Sequence, residues 1–385
     1  MKQVLLILVA LLPIPVAAQE KNPVPMKYVS AVAISAELDG AATDDETASG
    51  QTDTGTHFGP SATAPQQTSA KPPQSTKPQG ETEPKIPGSM VGYIDNPIPE
   101  SQIRIRFDYA FENRFPDRAE FFYGKCGCYR AVGADPNAPG PPPGSTKSAI
   151  PNSLNFQQVY INGEFALMRR LSVLVEVPVR WIQAQGFTSV MGGTFPNQAG
   201  LGDVIAGFKL AAVASESTYL TFQLRSYFPS GDASKGLGTN HYSIEPSLLL
   251  YQKLSRRFTV EGQVGDWHPI GGSSGVPNAG SEGFAGDVFF YGIGPSYKLY
   301  RGNHFALTPV VELFGWHVLS GFQTQIGGPI AGVETEVSGM NIVNLKAGLR
   351  TSIGFHNSLY VGFGQALTHD DWYKHIVRLE YRYAF

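Results

Sequence analysis

Four groups of residues have the types and spacing to do chemistry. "KCGCYR" holds the only two cysteines, Cys126 and Cys128. In an exported chain this pair suits a tight local disulfide. Thiolate metal binding is the alternative, but no histidine lies near enough to complete a structural zinc set. "THDDWYKH" brings His369, Asp370, Asp371 and His375 into eight residues, donors for a divalent ion or simply a solvated polar loop, and the second reading is preferred. His241 and Ser243 are spaced for a nucleophile and base, yet no third partner is legible, so no catalytic residue and no enzymatic activity is expected. The glycines of "GLGDVIAG" do not form a phosphate loop, because no Lys-Ser follows and the segment alternates as a strand. No cofactor and no bound metal is expected.

The fourth group is larger and more regular. Arg104, Arg106, Arg180, Lys209, Arg225, Lys346, Arg350, Arg378 and Arg382 recur on one parity of their segments. Asp108, Glu164, Glu176, Asp203, Glu245, Glu261, Glu312 and Glu380 share it. The other parity is apolar: in "SQIRIRFDYAFE", Ile103, Ile105, Phe107, Tyr109 and Phe111 alternate with Arg104, Arg106 and Asp108. A period of two is the signature of a strand with one greasy and one charged face. "LSVLVEVPVRWI", "DVIAGFKLAA", "YLTFQLRSYF" and "NLKAGLRTSI" repeat it, and weaker segments bring the number to about twelve.

The connections sort these strands. Tight turns ("MRR", "SES", "SRR", "RGN", "HN") alternate with connections that are long near 113–153, 184–199, 229–239, 271–286 and 318–339 and short only near 368–372. That alternation predicts an all-β protein, a transmembrane antiparallel β-barrel of about twelve strands, with turns in the periplasm and loops outside. A sandwich would scatter its loop lengths. A charge on the lipid face near midplane costs about 2–4 kcal/mol, and the charged parity avoids this by facing the lumen.

The 385-residue chain carries a formal net charge of −3, which offers nothing to nucleic acid or to an anionic surface. Its first eighteen residues have a basic start, an apolar run and small residues before Gln19, a secretory signal peptide. Residues 19–100 are expected to be a disordered periplasmic segment. From 39 onward Thr, Gln, Pro, Ser and Gly dominate, too little apolar area to offset the entropy of ordering. Residues 101–385 then form the barrel. The chain closes on "RLEYRYAF". Tyr381, Tyr383 and Phe385 resemble the assembly signal of outer-membrane proteins, which implies outer-membrane lipid and the barrel assembly machinery as partners and the outer membrane of a diderm bacterium as location.

"GLGDVIAGFKL", "FPSGDASKGLGTNHYSIEPSLLL", "FAGDVFFYGIGPSYKL", "LTPVVELFGWHVLSG" and the closing "WYKHIVRLEYRYAF" resemble outer-membrane proteins grouped with the meta-pathway of phenol degradation. The likeness runs over most of 200–385 and is weaker in 100–199. It implies a channel or transporter for passive passage of a small hydrophobic or aromatic solute. Arg104, Arg225, Trp267, Trp316 and Arg350 are then the candidate lining residues. A structural or adhesive anchor barrel with no open pore is the alternative. A twelve-strand wall is wider than one filled by its own side chains and narrower than sixteen-stranded porins, which leaves both a narrow passage and a plugged lumen open.

Overall fold

A computed structural model describes residues 88–114, 150–188, 197–232, 236–239, 241–270, 285–302, 304–324 and 334–385. Twelve strands build the wall: β1 Gln102–Asn113, β2 Ile150–Met168, β3 Leu171–Thr188, β4 Val204–Ala214, β5 Thr218–Phe228, β6 Tyr242–Lys253, β7 Phe258–Ile270, β8 Val288–Tyr297, β9 Phe305–Val318, β10 Asn341–Ile353, β11 Asn357–Ala366 and β12 His375–Ala384. Each pairs antiparallel with the next, and β12 pairs back onto β1 from Gln102↔Ala384 to Phe111↔His375. The sheet therefore has no free edge among its twelve wall strands, and the ladder satisfies the backbone without water.

The tight connections fall where the sequence places them. Arg169 and Arg170 join β2 to β3, residues 215–217 join β4 to β5, 254–257 join β6 to β7, and 354–356 join β10 to β11. Gly354 takes φ 63° in the last of these, a conformation glycine adopts without a Cβ penalty. These connections lie at one end of the barrel, the turn end, together with the start of β1 and the finish of β12. The opposite ends of the strands, from which the long connections leave, form the loop end. Two short segments extend the wall: Gln198–Leu201 pairs with β3 ahead of β4, and Tyr300–Arg301, in the turn before β9, pairs with Leu307 and Ala306.

Side-chain alternation follows the sequence pattern. Ile103 and Ile105 are exposed while Arg104, Arg106 and Asp108 are buried, and on β12 Leu379 and Tyr383 face out while Arg378, Glu380 and Arg382 face in. The β2–β3 hairpin is longer than its apolar alternation suggests, with ladder pairs from Met168↔Leu171 to Ile150↔Thr188. Its far part carries Asn155, Gln157, Gln183 and Gln185 on the outward parity. A strand that has passed the hydrocarbon no longer needs an apolar outer face, so the pattern fades while the ladder continues. Trp181, exposed and paired with Gln157, marks that boundary, where an interfacial indole is favoured.

One part of the expectation changes. Composition assigns residues up to 100 to a disordered segment, but residues 88–100 are held inside the barrel, with Ser89, Met90, Val91, Tyr93, Ile94 and Asn96 all buried. The reason is that this stretch is ordered through its backbone, for which composition gives no signal. Residues 19–87 and the cysteines Cys126 and Cys128 lie outside the described residues.

An arginine placed outward at mid-strand should report the lipid face. Val361→Arg, in the middle of β11, is expected to destabilise the barrel by about 2–4 kcal/mol, and Tyr383→Arg, near the turn end, by about 0–1 kcal/mol. Urea unfolding from lipid vesicles measures both; equal effects would contradict the assigned face and depth.

Candidate functional site

Residues 88–100 form a tongue that rises from the turn end, turns over near Gly92–Asp95 and descends to β1. A short irregular segment has no internal partners for its amides and carbonyls, and inside a closed wall each unpaired group costs about 1–3 kcal/mol. The wall supplies those partners from ionisable side chains. Glu312, on β9, accepts three successive amides: Gly92 N at 3.0 Å on Oε1, then Tyr93 N at 2.9 Å and Ile94 N at 2.8 Å on Oε2. Glu261, on β7, accepts Met90 N at 2.8 Å, and Gln263 accepts Asp95 N at 2.8 Å. Successive amides converging on one carboxylate act as a backbone nest does toward an anion, with the anion supplied here by the wall.

Three arginines hold the carbonyls. Arg350 donates to Met90 O at 2.7 Å and Val91 O at 2.7 Å, Arg382 to Val91 O at 2.9 Å and Ser89 O at 3.1 Å, and Arg378 to Gly92 O at 2.6 Å. Two wall carboxylates hold these three guanidinium groups. Glu380 bridges Arg350 and Arg382 at 2.8 and 2.5 Å, and Asp108 takes Arg378 bidentately at 2.6 and 2.7 Å. Fork-to-carboxylate geometry fixes the Arg378 guanidinium plane, and single bonds to Glu380 hold Arg350 and Arg382, so the carbonyls meet pre-oriented donors.

The turn-over is fitted sterically. A Cβ on Gly92 would lie 2.2 Å from the Tyr360 ring, so only glycine passes there. Val91 and Ile94 seat against the wall at Gly294, where a Cβ would come within 2.7 Å of one and 3.2 Å of the other. The Tyr93 ring meets two cations, with Arg378 4.1 Å and Lys346 Nζ 4.1 Å from its centroid. Burial pushes the Tyr93 phenol well above the usual tyrosine range, against a smaller opposing pull from Arg378, so the ring stays neutral.

The descending limb is anchored by Asp95. It accepts from Gln223 Nε2 at 2.9 Å and pairs with Arg225 at 3.1 Å, while Thr221 donates to Pro97 O at 2.5 Å. Burial would raise the Asp95 carboxyl, but Arg225, with Arg104, Gln223 and Lys209 behind it, outweighs burial and holds it well below the usual carboxylate range. Its share in fixing the tongue is therefore present above the ordinary aspartate pKa of about 3.9 and lost only as pH falls through the depressed value.

The tongue borders two spaces. On the loop side Tyr93 and Asp95 help to line a cavity of about 80 Å³, and on the turn side Gly88 and Met90 help to line a vestibule of about 170 Å³. The loop-side cavity is roofed by rings. Trp316 lies 4.6 Å from Phe314 and 4.8 Å from Trp372, and Trp267 is packed beside His241 at 5.7 Å.

All five candidate lining residues point into the lumen. Arg104 pairs with Glu176 at 3.0 Å, Arg225 with Asp95 and Glu245, and Arg350 grips the tongue; Trp267 and Trp316 are buried beneath the loop end. Tyr381 donates to Asn357 Oδ1 at 2.6 Å, Tyr383 is exposed on the wall, and the exposed Phe385 donates its amide to Ser101 O at 3.0 Å beside the start of β1. The "THDDWYKH" donors do not converge: Asp371 pairs with Arg114 at 2.9 Å, and His375 packs against the rings of Phe111 and Phe363. His241 Nδ1 faces both Ser243 Oγ and the Tyr242 carbonyl at 3.1 Å. When Nδ1 donates to that carbonyl it is not a base for Ser243. Asp266, His268 and Asp287 converge unforeseen by the sequence, because a long connection separates the third from the others; His268 and Asp287 already bond each other at 2.6 Å. The tongue residues themselves were also missed. The one available signal was the apolar run "MVGYI" in an otherwise polar segment.

A family described as "Putative MetA-pathway of phenol degradation" matches residues 152–265, which span β2 to β7. The match falls within six of the twelve wall strands and leaves out β1 and the stretches of likeness noted after 284. Among solved structures, an outer membrane channel from Pseudomonas putida F1 is 14% identical, with 77% of this chain and 99% of that chain covered and a TM-score of 0.45. The NanC porin is 7% identical, with 74% and 100% covered and a TM-score of 0.38. The KdgM porin is 9% identical, with 74% and 99% covered and a TM-score of 0.36. No curated protein matches the sequence.

If Glu312 is the main holder of the turn-over, replacing its charge should loosen Gly92–Ile94 specifically. Hydrogen bonds to a charged group contribute about 1.5–3 kcal/mol, so Glu312→Gln is expected to speed amide exchange at these three residues by about ten- to a hundredfold while the wall amides of β9 stay protected. Unchanged exchange at Gly92–Ile94 would show that the tongue is held elsewhere.

Proposed function

We propose that the protein is an outer-membrane channel for passive passage of a small solute, closed at rest by residues 88–100 and opened when that tongue leaves the lumen. The observation that carries this reading is that the tongue contributes no strand to the wall. Its withdrawal would leave all twelve strands and their ladder intact. Most of its polar contacts join backbone groups to ionised wall side chains, and water can take over both partners. The wall that would then be exposed is charged with both signs, as suits a hydrated passage.

In this reading the turns face the periplasm and the loops face outward. With the tongue entering from the turn end, residues 19–87 would lie on the periplasmic side, and Phe385 would meet the assembly machinery there. Arg104, Arg225 and Arg350 would line the opened lumen, with Trp267 and Trp316 at its outer mouth. The aromatic roof suits a solute with a hydrophobic or aromatic body. A closed anchor barrel is the second reading, favoured by how fully the tongue is bonded.

Planar-bilayer conductance separates the two. The refolded chain from residue 19 is expected to be closed or to open briefly, and a variant lacking 88–99 to show stable openings. A heat-modifiable gel shift verifies that the variant has folded. A folded deletion variant that never conducts would establish the anchor and end the channel reading. Trp267→Ala and Trp316→Ala in the deletion background should change unit conductance or solute block; no change in either would remove the two indoles from the mouth.

A further inference from the structure

Lys346 is an inward cation that the network of ion pairs passes over. It is 3% exposed, yet among the described residues no carboxylate lies within ion-pair distance of it and no hydrogen bond reaches its ammonium. Its register partner across the ladder is Glu312, whose two oxygens are committed to the three tongue amides. What surrounds the ammonium instead is a set of ring faces: Tyr93 at 4.1 Å, Phe314 at 4.7 Å, Trp316 at 5.2 Å and Tyr373 at 6.0 Å. Ring faces stabilise a cation but do not neutralise it. A buried, uncompensated charge is costly, and such charges are ordinarily paired.

The same ammonium lines the loop-side cavity. Its other charged groups have partners, Arg180 among them through Gln158 Oε1 at 2.9 Å. Arg378 belongs to Asp108, Arg225 to Asp95 and Glu245, and Arg106 to Glu176 and Asp108. The Asp203 carboxylate is taken up by Gly231 N, Thr239 N and the Thr239 hydroxyl. The cavity, at about 80 Å³, is several times the roughly 10–15 Å³ that one water requires. Aromatic side chains, Tyr93, Trp267, Phe314, Trp316 and Tyr373 among them, line the cavity together with these engaged charges and with Lys346, and aromatic surface beside a few placed polar groups is the usual form of a small-molecule site.

We propose that this cavity is a binding site for a small aromatic carboxylate, with Lys346 as the receptor for its anionic group and with Phe314, Trp316 and Trp267 stacking on its ring. The proposal deepens the channel reading by naming a solute class, but the binding itself does not depend on conductance. Lys346 determines specificity: the rings accept any flat apolar body, and the ammonium selects the one that carries a negative charge. Tyr93 brings the tongue into the same site, since its ring occupies one face of the ammonium.

The test is calorimetric titration of the detergent-solubilised full chain with benzoate, benzyl alcohol and acetate, read alongside tryptophan fluorescence. Benzoate is expected to bind at least about tenfold more tightly than either of the others, since it alone has both charge and ring. Lys346→Met should remove that preference while leaving benzyl alcohol within about twofold. Lys346→Arg, which keeps the charge, should retain most of it and guards against a fold defect in the methionine variant. Absence of saturable benzoate binding, or a preference that survives Lys346→Met, would overturn the proposal. Benzoate binding in a barrel that never conducts would leave the site standing and remove the channel. Conductance with no preference for benzoate would do the opposite.

Discussion

Everything in this molecule follows from the requirement that no backbone amide or carbonyl be left unpaired where water is absent. In hydrocarbon that requirement admits a sheet only if it closes, which β12 does by pairing with β1 over ten residues. Closure fixes the alternation: one parity meets lipid and must be apolar, and the other is turned inward and is free to be charged. The interior charges are thus permitted by the wall before they are used by anything. A chain segment that enters the lumen meets the requirement a second time, now without a neighbouring strand. The wall answers with carboxylates for its amides and guanidinium groups for its carbonyls.

This division explains why the lumen holds both signs of charge in near balance. A lumen lined by one sign would repel itself and demand counter-ions. Here the acids and bases are paired with one another around the wall, and the pairs that face the tongue have donors or acceptors to spare. Arg350 illustrates the point: it pairs with Glu380 while its other N–H groups reach Met90 O and Val91 O. A guanidinium has enough donors for both tasks, which a lysine ammonium in the same place would serve less well. Glu312 shows the converse, because three amides leave its oxygens nothing for Lys346 across the ladder. Holding the tongue and leaving one cation without an acid partner are two sides of the same arrangement.

The wall was legible in the sequence because lipid imposes a rule on side chains that any reader can check: Ile103, Ile105 and Phe107 against Arg104, Arg106 and Asp108 could face only one way. The turn positions were legible for the same reason, since a two-residue connection such as Arg169–Arg170 leaves no room for another topology. Legibility failed where the constraint relaxed. Beyond Trp181 the β2–β3 hairpin stands clear of hydrocarbon, so Asn155 and Gln183 can sit outward and the alternation that would reveal the strand disappears. The inward parity of Arg104, Arg225 and Arg350 could be read, but not which acid each would take, because partners across a barrel are set by register and tilt.

The tongue was illegible for a deeper reason. A helix or a strand announces itself because its side chains must repeat with its backbone geometry. Residues 88–100 have no such repeat: their backbone is satisfied by side chains far away in sequence, with 218 to 220 residues between each turn-over amide and Glu312. Composition therefore counted Gly, Pro and Ser as evidence against order, although Gly92 is where the ring of Tyr360 allows nothing larger. Order of this kind is lent by the wall and is only as strong as the wall's grip on it. A segment ordered in this way can be released by changing a few ionised groups, whereas a strand of the barrel could be released only by opening the ladder.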